Sequence, residues 1–123
     1  MDHRMARGKW GERLAARHLM RHGLRIIERN WTVRRGELDI IALEQDTLVI
    51  VEVRTRQKGS MVSPEESVNL RKRRKLIALA EEYLASREIK QSQLRFDLVA
   101  VRYGPIGLFG SCIHYRGIFE ADG

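Results

Sequence analysis

The sequence predicts an α/β domain built on a central mixed five-stranded sheet flanked by helices, and three observations carry that expectation. Apolar residues recur at helical spacing in two stretches, five other apolar stretches are short and often alternating, and the order is helix, three strands, helix, two strands. With 123 residues, 43% of them hydrophobic, the chain suits one core and a single domain over 1–123 with frayed ends.

The first helix is expected from Lys9 to His22. Leu14, Ala15, His18 and Leu19 form its apolar stripe, Arg13, Arg17 and Arg21 lie between them, and Gly23 stops it. Strands are expected at Leu24 to Val33, Leu38 to Leu43, Thr47 to Val53, Phe96 to Tyr103 and Cys112 to Phe119. A polar loop, Gln57 to Ser63, precedes a second helix that Pro64 can open, where a missing N–H costs nothing. Leu76, Ile77, Ala80, Tyr83 and Leu84 give that helix its buried stripe. Gly104-Pro105-Ile106-Gly107 reads as a turn before the last strand.

Lysine and arginine number 23 against 16 acids, a formal net charge of +7. That balance favours a polyanionic partner, since each phosphate neutralised releases condensed counterions; the plainer alternative is that it only keeps the protein soluble. Arginines crowd the first third of the chain, and Arg7, Arg34 and Arg35, with Arg56 further on, are the candidates for nucleic-acid contact. Cys112 is the only cysteine, which excludes an intramolecular disulfide and a zinc ribbon and fits a reducing, cytoplasmic setting. No stretch has the length and apolarity of a membrane span or signal peptide, so no membrane partner is expected. His18 and His22 have i, i+4 spacing but lack the context of a zinc site. Trp10 and Trp31 could stack on bases, although packing is the commoner use of such residues.

The segments that carry chemistry are Gly36-Glu37-Leu38-Asp39-Ile40-Ile41-Ala42 and Val49-Ile50-Val51-Glu52-Val53-Arg54. A hairpin turn centred on Gln45 and Asp46 pairs residues whose numbers sum to 91. Asp39 then faces Glu52, and Glu37 faces Arg54. On that register Asp39 and Glu52 share one face with Cβ atoms about 5 Å apart. Like charges so placed destabilise a sheet unless compensated, and two converging carboxylates suit a hard divalent cation such as Mg²⁺; acids turned to solvent at a sheet rim would need none. Glu12 borders the apolar stripe of the first helix, where its charge needs a partner or a path to water.

Gly8, Gly11-Glu12, Arg29-Asn30, Gly36-Glu37-Leu38-Asp39, Val51-Glu52-Val53-Arg54, Thr55-Arg56, Lys72 and Phe96-Asp97 form an ordered series that resembles the YraN family. That family is similar to the PD-(D/E)XK nucleases and the archaeal Holliday junction resolvases among them. The resemblance runs from about Arg7 to Tyr103 and implies a restriction-endonuclease-like fold acting on nucleic acid, DNA above all, with Mg²⁺ or Mn²⁺ as cofactor. It implies Asp39 and Glu52 as metal-binding acids, supported by Glu12, and it admits a homodimer. The superfamily motif ends in Glu-x-Lys, whereas this chain has Glu52-Val53-Arg54. A guanidinium can stabilise negative charge but stays protonated and is larger than an ammonium, so it replaces the lysine only in part. Some superfamily members supply the lysine from a neighbouring element, and Lys72, with Lys75 behind it, is the candidate; a solvated basic face over Arg71 to Lys75 is the alternative. The catalytic candidates are therefore Glu12, Asp39, Glu52, Arg54 and Lys72. The rival to an endonuclease is a binding module of the same fold that no longer cuts, and Arg54 is the residue that keeps it in play.

Overall fold

The computed structural model describes residues 3–57, 67–89, 93–104 and 110–121, with side chains from Gly8 onward. In chain order these form α1 (His3–Arg21), β1 (Arg25–Val33), β2 (Gly36–Glu44), β3 (Thr47–Gln57), α2 (Leu70–Ser86), β4 (Gln93–Tyr103) and β5 (Gly110–Phe119). The strands lie side by side in sequence order. β1, β2 and β3 are an antiparallel meander, β3 and β4 run parallel through the α2 crossover, and β5 returns antiparallel on β4. This is a mixed five-stranded sheet in a single α/β domain, consistent with a restriction-endonuclease-like fold.

Burial follows from that order. The two parallel strands are covered on both faces, so Leu48 to Glu52 and Phe96 to Val101 are buried without a break, as sequences of internal parallel strands require. Alternate residues feed two cores. Leu38, Ile41, Leu48, Ile50, Phe96 and Leu98 meet Leu76, Leu79, Ala80 and Tyr83 of α2 on one face. Ile40, Ala42, Val49, Val51, Val99 and Val101 meet Ala15, Ala16 and Leu19 of α1 on the other.

α1 and α2 end in the same device. After α1, Leu24 N–H donates to Leu19 O and Gly23 N–H to Met20 O, with Gly23 at φ 92 and the Leu19 and Leu24 side chains in one core. After α2, Ile89 N–H donates to Leu84 O and Glu88 N–H to Ala85 O, and here Glu88 takes the left-handed position at φ 53. α2 starts where Asn69 Oδ1 accepts from Lys72 N–H at 2.9 Å. The helix expected to open at Pro64 is thus described only from Leu70; Pro64 lies outside the described residues, as does the turn at Pro105 to Gly107. α1 is longer than expected, reaching back to His3, and packs closely: a Cβ on Gly11 would lie 2.0 Å from Thr55 Oγ1. Trp31 is buried edge-on to Tyr83 and Trp10 packs at the margin of the α1 core, so both tryptophans serve packing.

Candidate metal centre and basic clefts

The β2–β3 register is the expected one, Glu44↔Thr47 through Ile40↔Val51, and it ends there. Beyond that pair β2 continues only against β1 and β3 only against β4, up to Gln57↔Tyr103. Asp39 stands at the fork. Its Oδ2 accepts from Val53 N–H at 2.9 Å, giving that amide the acceptor a partner strand would have supplied. Strand alternation slips here as well, because Leu38 and Ile41 both enter the α2 core while Ile40 enters the α1 core. Across from Asp39, Asn30 of β1 adopts φ 53 and drops out of the ladder between Arg29↔Ile40 and Trp31↔Leu38.

That break brings four acids together. Glu12 of α1 and Glu37 and Asp39 of β2 each place a carboxylate oxygen within 4.8 Å of the others. The Asn30 amide, turned with its nitrogen toward them, donates to Glu37 Oε1 at 3.0 Å and Glu12 Oε2 at 2.8 Å. Asp39 also hydrogen-bonds Glu52. Burial, then the Glu52 charge, pushes the Asp39 carboxyl up to about 8 against the opposing Val53 amide. Burial and the Glu37 charge likewise raise Glu12, opposed by Arg29 and the Asn30 hydrogen bond. A carboxyl that holds a proton near neutrality among other acids is a place where a cation can take over the proton's role.

Glu52 is buried between Val51 and Val53, whose side chains lie with the α1 core, so its own carboxylate points toward α2. There Oε2 sits 3.2 Å from Arg54 Nη2 and 3.3 Å from Lys72 Nζ. Lys72 is in the turn of α2 that Asn69 caps, which fixes the start of its stem. Two expectations are corrected by this geometry. Asp39 and Glu52 do not form a ladder pair; they meet through the gap left where the ladder stops. The cross-strand pair of Glu37 with Arg54 does not form either, because Glu37 is held in the β1 ladder opposite Thr32 while Arg54 turns to Glu52.

Two clefts flank the acids. One, of about 500 Å³, is lined by Gly8, Glu12, Asp39, Arg54, Arg56 and Tyr103 among others. Within its wall Arg54 Nε is buried without a hydrogen-bond partner among the described residues, an unusual state for a guanidinium N–H. The second, of about 560 Å³, is lined by Gly8, Lys9, Glu12, Arg13, Arg29, Asn30 and Glu37. Of the arginines singled out for nucleic acid, Arg56 is exposed in the first cleft; Arg34 and Arg35 are exposed in the β1–β2 turn outside both linings; the Arg7 side chain lies outside the described residues. The sequence reading missed Glu37 as a member of the acid cluster and Asn30 as its hydrogen-bond donor.

Asp97 belongs to a separate, saturated network. Arg95 donates to both its oxygens at 2.8 and 2.9 Å, His114 Nε2 lies at 2.7 Å from Oδ2, and Gly117 N–H donates to Oδ1 at 2.9 Å. Burial opposes ionisation, yet these partners hold the carboxyl down at about 2. The His18 and His22 rings lie 4.3 Å apart, tilted by 31°, and His22 Nδ1 lies 2.7 Å from the His18 carbonyl oxygen.

The family described as "Uncharacterised protein family UPF0102" matches residues 11–101. The chain is similar to a UPF0102 protein of Desulfitobacterium hafniense, 45% identical over 102 residues that cover 82% of this chain and 84% of the relative. A UPF0102 protein of Syntrophotalea carbinolica is 41% identical over 120 residues, 98% of this chain and 96% of its own length. One from Rhodococcus opacus is 46% identical over 104 residues, 85% and 88% of the two chains.

Proposed function

The chain belongs to the UPF0102 (YraN) family, and we propose that it is a nucleic-acid-binding protein with a divalent-metal-dependent phosphodiesterase centre where β2 leaves β3. One observation carries the reading: Glu12, Glu37 and Asp39 converge within 4.8 Å beside the Lys72–Glu52–Arg54 group. Hard oxygen donors in this number suit Mg²⁺ or Mn²⁺, and the raised Asp39 carboxyl suits a site that exchanges a proton for a cation. Bound there, such an ion supplies neutralisation of phosphate charge and a lowered pKa for water.

The chain's own groups have distinct tasks in this reading. Glu12, Glu37 and Asp39 hold the cation, Asn30 fixes two of the three, and Glu52 orients the Lys72 ammonium. That ammonium is the compact cation the Glu52-Val53-Arg54 triplet lacks. Arg54, whose Nε–H has no acceptor among the described residues, is suited to donate to a phosphate oxygen. A net charge of +7 and two arginine-lined clefts suit DNA as the partner, in the cytoplasm, where a single cysteine stays reduced. Among the described residues no helix is long and apolar enough to cross a membrane.

The test is incubation with labelled linear, flapped and four-way-junction DNAs in Mn²⁺ and in chelator. Metal-dependent cleavage that is lost in Asp39→Asn and Glu37→Gln is expected. The second reading, a binding module that no longer cuts, draws on Arg54 in place of the motif lysine. It gains if every DNA is bound and none is cut.

A further inference from the structure

The two clefts are not independent, because Gly8 and Glu12 line both. On α1 these residues are one turn apart, and Lys9 and Arg13, also one turn apart, follow them around the helix. The α1 surface therefore forms a ridge between the clefts, with the acids on its flank. At the ridge Gly8 has no side chain, and a Cβ built there would meet nothing within 4 Å. The ridge is lowest where the two clefts join.

Cations stand on both sides of that low point. Lys9, Arg13 and Arg29 are exposed along the second cleft, and Arg54 and Arg56 line the first. The first cleft also contains Tyr103. A basic groove with an aromatic ring is the arrangement that holds an unpaired strand, since cations follow the phosphates and the ring takes a base face.

We infer that one single nucleic-acid strand crosses α1 at Gly8, with phosphates on Lys9, Arg13 and Arg29 on one side and on Arg54 and Arg56 on the other, and a base against Tyr103. The inference rests on the nucleic-acid reading above and adds the path, the polarity-neutral anchor points and the single-stranded substrate class. It also gives the acids their place, since a strand that crosses the ridge carries one phosphodiester past Glu12 between the two anchored ends.

The experiment is fluorescence anisotropy of a labelled oligothymidylate over a salt series in chelator, so that no hydrolysis intervenes. On a single strand each phosphate contact contributes about −0.7 to the log–log salt slope, so removing Arg13 and Arg29 together to alanine should flatten it by about 1.4. Arg56→Ala should flatten it by about 0.7. Tyr103→Ala should weaken binding roughly tenfold with the slope unchanged, as loss of one base stack does. Gly8→Leu sets its Cβ where nothing lies within 4 Å and should flatten the slope as much as removal of a whole arm, with an unchanged circular dichroism spectrum. Arg71→Ala with Arg74→Ala, on α2 away from both linings, should leave the slope as it is. The path is overturned if the parent binds but Gly8→Leu and the cleft variants match it, or if the α2 pair carries the slope instead. Tighter binding of duplex than of single strand overturns the substrate class. A parent that binds no oligonucleotide even at low salt overturns the nucleic-acid reading itself, an outcome distinct from the other two.

Discussion

Asp39→Asn should make the metal-free protein more stable while removing its metal-dependent chemistry. In the folded chain burial and Glu52 raise the Asp39 carboxyl from 3.8 to about 8. A raised carboxyl subtracts stability: nothing below the unfolded value, then progressively more as pH rises toward the folded one, because the unfolded chain sheds the proton first. At about 1.4 kcal/mol per pH unit between 3.8 and 7, the penalty at neutrality has a ceiling of about 4 kcal/mol. Asparagine has no proton to shed in the unfolded chain and can still accept from Val53 N–H, but it keeps a polar group half-buried, so a gain of about 2 kcal/mol is the reasonable share. For a chain of this length that raises the thermal midpoint by roughly 6–10 °C. Thermal unfolding in chelator at pH 7 and pH 4 measures it: the gain should appear at pH 7 and shrink at pH 4. Added Mn²⁺ should stabilise the parent and not the variant, closing the gap from the other side. A variant equal to or weaker than the parent at pH 7, with a difference indifferent to pH, would refute the reasoning that the acids repel.

Four further outcomes follow from the geometry. Lys72→Ala should lower cleavage by about 10²-fold or more while Arg54→Lys changes it little, read in a single-turnover assay; the reverse pattern would move the essential cation to position 54. Gly11→Ala should cost about 1–3 kcal/mol in a denaturant titration, because its Cβ would lie 2.0 Å from Thr55 Oγ1, and Thr55→Ala should restore part of it. Asp97→Asn should cost about 3 kcal/mol at neutral pH, and the difference should narrow as pH falls from 3.8 toward 2, where the parent's own carboxyl takes up its proton. Glu88→Gly should add about 1 kcal/mol, since Glu88 closes α2 at φ 53 where glycine carries no Cβ penalty; an unchanged midpoint would mean its backbone strain is relieved elsewhere.

Much of the fold was legible because its local signals agree with its packing. Gln45-Asp46, bounded by Glu44 and Thr47, sets the β2–β3 register locally, and Gly23 marks the end of α1 through the backbone conformation it permits. The runs at Leu48–Val51 and Phe96–Val101 read as strands for the reason they are internal ones: both faces are covered. The end of α2 was less legible, because Glu88 occupies a position where a glycine would have announced the stop. Its described start at Leu70 was also less legible, because Asn69, whose side chain caps the helix, is a weaker sequence signal than Pro64, which lies outside the described residues.

The acid cluster was legible in its membership more than in its geometry, and the reason is a single assumption. Alternation along a strand holds only while the ladder holds, and it placed Glu37 opposite Arg54. The ladder stops at Ile40↔Val51, while β1 stays paired with β2 as far as Val33↔Gly36, with Asn30 at φ 53 across from Asp39. Glu37 then turns with Asp39 toward Glu12, and Glu52 is left to the α2 cations. An Asn followed by Trp within a strand carries the clue, since asparagine is the non-glycine residue most at ease with positive φ. The same break explains why the site lies here. Only where two strands part do backbone amides such as Val53 N–H need side-chain acceptors, and only there can carboxylates from α1, β2 and β3 reach one another through the plane of the sheet. A continuous β2–β3 ladder would hold Asp39 and Glu52 apart from Glu12, so the loss of a few sheet hydrogen bonds is the structural condition for gathering the acids.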